Sequence, residues 1–140
     1  MGALVCLVLS GCVVPARDGA AYQEDASQSL QSATSAVRSA ELALQSWLDG
    51  RMPGTSADVV VTDAEGALGP IDVAFGGVDP PSRDSDKVRS DVVGLLGDAE
   101  DALAQSRIAV RRDDPEGVRA ALDALDKAAA DLEATTATLR

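Results

Sequence analysis

Carboxylates are the abundant reactive side chains of this 140-residue chain: 23 Asp and Glu stand against 12 Lys and Arg, and histidine is absent from the sequence. Closely spaced acids can share a proton for acid–base catalysis or wrap a hard cation such as Ca²⁺ in oxygen ligands. Three groups have that spacing: Asp84 with Asp86, Asp98 with Glu100 and Asp101, and Asp113 with Asp114 and Glu116. Each also has a plainer assignment. The first and third stand where helices should begin, and the helix dipole favours negative charge there. The second fits a solvated helix face. Nothing adjacent would desolvate any of them, so the expectation is no catalytic role, no metal and no cofactor. Phosphate-binding glycine loops, Gly-x-Ser-x-Gly, Cys-x-x-Cys, His-Glu-x-x-His and EF-hand spacings do not occur.

The formal charge of −11 argues against nucleic acid, because neutralising phosphates requires a basic face. Aromatic residues make up 2% of the chain, too few for a base-stacking platform. Two of them draw notice. Trp47 could cap a ligand groove, but its spacing favours the core. Tyr22 opens the first helical pattern, where a role at a lipid surface is conceivable.

The two cysteines carry a different kind of chemistry. Residues Ala3 to Leu9 form an apolar run, too short for a bilayer that needs about 20 residues. The run closes on Leu9-Ser10-Gly11-Cys12. A short apolar stretch ended by small residues is the pattern of a secretory signal, and this ending resembles the lipobox of small bacterial lipoproteins. The resemblance covers about ten residues. It implies thioether diacylation of Cys12, cleavage between Gly11 and Cys12, and a chain held by lipid on the outer side of the cell membrane. Cys6 would leave with the signal, so no disulfide could form within the chain. Such signals open with Lys or Arg, which Met1-Gly2 do not supply, and the matching expectation is an upstream in-frame start. The alternative is that Ala3 to Val14 is an ordinary buried segment with two inert thiols.

The expected organisation is therefore a signal over residues 1–11, a lipidated Cys12 with a flexible tether over 12–21, and a helical domain over 22–140. Alanine, the best helix former, supplies 25 residues, so a thin all-α core is expected. Ala26, Leu30, Ala33, Val37, Ala40, Leu44 and Trp47 step by four and three, the signature of a helix with a coiled-coil-like seam. Gly50 offers a left-handed cap and Pro53 blocks continuation. The last segment repeats the steps through Val118, Leu122, Leu125, Ala129, Leu132, Thr136 and Leu139, with Asp114 as N-cap, Pro115 in the first turn and Glu116 facing the dipole. Between Lys87 and Arg112 a broader stripe from Val88 to Val110 predicts a helix buried on two sides.

The stretch from Ser56 to Val78 pulls both ways. Val59-Val60-Val61-Thr62 favours a strand, and Gly66, Gly69, Pro70, Gly76 and Gly77 weaken a helix. Against that, Val60, Ala64, Ala67, Ile71, Ala74 and Val78 keep the helical step. The spelling Ala-Glu-x-Ala-Leu at Ala64 to Leu68 also recurs at Ala40 to Leu44 and Ala99 to Leu103, with both Ala and the Leu on one face and the Glu pointing away. The expectation is a helix kinked or split at Pro70. Short links then favour an antiparallel up-down four-helix bundle, monomeric, with sensitive core positions at Leu30, Leu44, Trp47, Ile71, Leu96, Leu103, Leu125 and Leu132. By function it is expected to be a lipid-anchored binding or structural protein without catalysis, its protein partner unspecified. A cation- or ligand-binding lipoprotein is the alternative, which would show a pocket lined by convergent carboxylates. An enzyme working with Asp and Glu alone would need a buried acid pair.

Overall fold

The computed structural model describes residues 18–139 and contains four helices there: α1 (Gly19–Leu48), α2 (Gly54–Gly76), α3 (Arg83–Arg111) and α4 (Pro115–Thr138). The signal and lipidation site expected at residues 1–11 and Cys12 lie outside the described residues. Each helix packs on its neighbours in chain order, α4 closes back on α1, and α1 also meets α3 across the centre, whereas α2 and α4 do not touch. Alanine on the α1 and α3 seams permits that diagonal contact, since Ala26, Ala33, Ala40 and Ala99 are fully buried and leave little side chain between the axes. The result is the expected antiparallel four-helix bundle.

The helix ends follow local chemistry. Asp18 caps α1 by accepting from the Ala21 amide at 2.8 Å, so α1 begins three residues before the expected Tyr22. Gly50 takes φ +69° beyond its end, the left-handed geometry that stops a helix cleanly. Ser82 caps α3, Asp114 caps α4 through the Gly117 amide, and Pro115 sits in the first turn. Asp113 at φ 51° takes the left-handed position after α3, a place where glycine is the cheaper residue.

α2 is a single helix and the strand signal of Val59 to Thr62 is overridden by packing. It also runs through Pro70 without splitting. Gly69 explains part of this tolerance: the proline ring clashes with the backbone N–H and the Cβ of the preceding residue in helical geometry, and glycine removes the second of these contacts. Pro70 still removes the donor that would reach the Gly66 carbonyl.

Three core expectations need correction. The seam of α2 is Ala57, Val61, Ala64, Leu68 and Phe75, one residue round from the expected stripe; Ala67 and Ala74 are exposed, and Val60, Ile71 and Val78 are only half-buried. Two apolar stripes compete on this helix, and the one carrying Leu68 and Phe75 removes more apolar surface from water. Trp47 is half-buried at the edge of the core, lying against the Gly54 backbone, because the seam runs out in the last turn of α1. Tyr22 is fully buried and extends the α1 seam by one turn instead of meeting a surface. Leu30, Leu44, Leu96, Leu103, Leu125 and Leu132 are buried as expected.

Candidate functional site

The end of the bundle that adjoins residue 18 brings together the first turns of α1 and α3 and the last turns of α2 and α4. Tyr22 meets Phe75 there with ring centroids 5.2 Å apart, a tilted aromatic pair. Burial pushes the Tyr22 hydroxyl's pKa up; the positive charge of Arg89 opposes this and the negative charge of Asp86 adds to it. The hydroxyl has no hydrogen-bond partner among the described residues. Arg89 of α3 reaches across to the Gly76 carbonyl, supplying the positive charge that the last turn of α2 lacks.

From this end a groove of about 440 Å³ runs between α1 and α2, with Asp25, Gln28 and Ser32 on one wall and Pro70, Ile71 and Val78 on the other. Its apolar wall exists because the Ile71 stripe was displaced from the core. A second groove of about 340 Å³ between α3 and α4 holds Asp98, Asp101 and Asp131. Carboxylates do converge there, but Lys127 stands among them and donates to Asp131 at 2.6 Å. That hydrogen bond and the neighbouring charges of Asp131 and Asp98 hold the ammonium's pKa up, so the groove carries its own cation.

The acid groups singled out by spacing are dispersed. Asp84 and Asp86 lie in the first turn of α3, and Asp114 is occupied as the α4 cap, with Glu116 in the same turn. Asp98 and Asp101 face solvent beside Lys127, and Glu100 is half-buried on another side of α3. Among the described residues no group of three His, Cys, Asp or Glu side chains is placed to hold a metal ion.

The Ala-Glu-x-Ala-Leu spellings hide a different polar cluster. Their first Ala and their Leu are buried in all three copies, yet the glutamates do not point away as expected. Glu41 is 7% exposed and Glu65 and Glu100 are half-buried, each at the shoulder where two helices meet. Arg38 donates to Glu41 and to Asp126 at 2.9 Å and to Glu133 at 3.2 Å, tying α1 to α4. Hydrogen bonding to Glu41 and then Asp126 holds the guanidinium charged well above its already high pKa. The second Glu41 oxygen has no partner among the described residues. Arg107 grips Glu65 with two bonds, at 2.6 and 3.2 Å, and Arg111 meets Asp58 at 2.7 Å, tying α3 to α2. The sequence signal available for the α2–α3 pairing is the seven-residue spacing of Asp58 and Glu65 beside the α2 seam.

These groups brace helices together, and the described residues show no buried acid pair or nucleophile beside a base. No helix among the described residues is long and apolar enough to cross a membrane. No protein family, curated protein or solved structure matches the chain.

Proposed function

We propose that this chain is a lipid-anchored binding or structural module, held to the outer side of the cell membrane by acylation of Cys12 and without catalytic activity. The observation that carries the reading is Leu9-Ser10-Gly11-Cys12 followed, only six residues later, by the Asp18 cap of α1. Six extended residues reach at most about 20 Å, so the lipid would hold the Tyr22–Phe75 end of the bundle close to the bilayer. The net charge of −11 would keep the body off anionic headgroups, leaving the lipid to supply attachment. Polar side chains that brace helix pairs, and a groove whose carboxylates already stand beside Lys127, support a role in binding or architecture.

Mass spectrometry of the membrane fraction tests it. A mature chain beginning at an acylated Cys12 is the expected result. A soluble chain that retains Met1-Gly2 and a free Cys12 would overturn it.

A further inference from the structure

Four of the five large hydrophobic side chains left exposed among the described residues lie on α2 and α3: Val59 at 58%, Val73 at 74%, Val93 at 38% and Ile108 at 42%. The ion pairs Asp58–Arg111 and Glu65–Arg107 fix the antiparallel register of the two helices. Val59 therefore lies level with Ile108, and Val73 with Val93. Val59, Gly66 and Val73 are seven apart, one residue beyond the stripe that holds the ion pairs, so they form the outward edge of the α2–α3 seam.

Gly66 and Gly97 lie on this face with nothing within 4 Å of where a Cβ would stand. Packing within the bundle gives no reason for either glycine, although each costs roughly 0.5–1 kcal/mol in a helix. Two open glycine positions beside these apolar side chains leave room for another backbone to approach. On the same face Asp63, Asp72 and Glu100 have no ion-pair partner among the described residues. The unpaired acids would repel a second copy of this chain and attract a positively charged partner.

We infer that the α2–α3 face is a docking surface for a basic amphipathic helix, whose apolar side covers Val59, Val73 and Ile108 while its Lys or Arg residues reach the flanking acids. This names a partner for the binding role proposed above and rests on that half of the reading; it does not depend on the lipid. α2 offers about 34 Å of length, and two helices roughly 9 Å apart present a face of roughly 650 Å². That matches the low end of specific interfaces, about 600–800 Å² per partner, and points to a reversible complex.

The test uses the full chain in detergent and a fluorescent helical peptide of about 18 residues with Leu on one face and Lys on the other. Anisotropy should report binding that weakens at least about tenfold in Val59→Ser/Val73→Ser and falls with salt in the wild type. Asp72→Asn/Glu100→Gln should weaken binding and flatten the salt dependence. Leu42→Ser on α1 and Asp123→Asn on α4, which change apolar area and charge elsewhere, should leave it unchanged. Absence of binding, or equal losses in the Leu42 and Asp123 variants, overturns the proposal. So does sedimentation showing that the chain dimerises by itself and that Val73→Ser abolishes the dimer, because the face would then belong to a second copy.

Discussion

α2 and α4 are nearly the same length, 23 and 24 residues, and occupy opposite corners of the bundle, yet they are built to different standards. α4 has a capping carboxylate at Asp114, a proline in the turn where its missing N–H does no harm, and an acid facing the positive end of the dipole. α2 starts at Pro53 without a side-chain cap bond, has no acid in its first turn or base in its last, and carries Pro70 and two glycines in its interior. Its ends and its middle depend on other helices: Arg89 on the Gly76 carbonyl, Arg107 on Glu65, Arg111 on Asp58 and Tyr22 on Phe75. One helix is held by its own sequence and the other by its neighbours. Opening α2 should therefore require less free energy than opening α4.

The largest test of that difference is Pro70→Ala. Restoring a donor toward the Gly66 carbonyl and removing the ring should stabilise the domain by up to about 3 kcal/mol, measured by urea unfolding. In the wild type, amides from Val60 to Phe75 should exchange with solvent before those from Leu30 to Leu44 and from Leu122 to Leu132. The variant should narrow that gap. Equal protection of all the helices before the substitution would remove the contrast.

The contrast was partly legible in the sequence. Interior proline and glycine marked α2 as the weak helix, and the uninterrupted steps of Leu122 to Leu132 marked α4 as a strong one. The α2 seam was not legible, because Val60, Ala67 and Ile71 form as regular a stripe as Val61, Leu68 and Phe75. Only the helices packed around α2 decide which stripe is buried. The shoulder glutamates were hidden for a related reason: Glu41 and Glu65 lie next to a seam, where a side chain either leaves for solvent or meets a cation from another helix. Nothing within five residues of Glu65 reveals Arg107. The helix caps at Asp114 and Gly50 depend on adjacent residues alone and were readable directly.

A pair of glycine substitutions sharpens the contrast with smaller effects of opposite sign. At Gly66 a Cβ would meet nothing within 4 Å, so Gly66→Ala should stabilise by about 0.5–1 kcal/mol through reduced backbone entropy of the unfolded chain. At Gly117 a Cβ would collide with the Asp114 carboxylate and come within 3.2 Å of the Ala109 Cβ. Gly117→Ala should displace the cap and destabilise by about 0.5–2 kcal/mol despite alanine's better helix propensity. Thermal unfolding of the two variants should show shifts in opposite directions, and shifts of the same sign would mean that α4 depends on its cap no more than α2 does.

The smallest expected effect is confined to alkaline solution and to the end of α2. Tyr22 lies beneath that end against Phe75, and burial raises its pKa above the ordinary 10.0. A raised value means that the folded state holds the phenolic proton more tightly than the unfolded state does. The resulting stabilisation is fully present below pH 10 and is lost as pH rises through the folded pKa, because a buried tyrosinate would have to face Phe75. Lys127 loses its charge in the same range, so the wild type alone would mix two groups. Tyr22→Phe separates them. Its hydroxyl has no partner among the described residues, so removing it should leave neutral-pH stability unchanged or slightly higher. The chain has one tyrosine, so tyrosinate absorbance follows that residue directly. It should show a midpoint above 10, with the wild type losing stability relative to Tyr22→Phe over the same interval. A midpoint at the free-tyrosine value would show that the α2 end is already open to water in the folded protein.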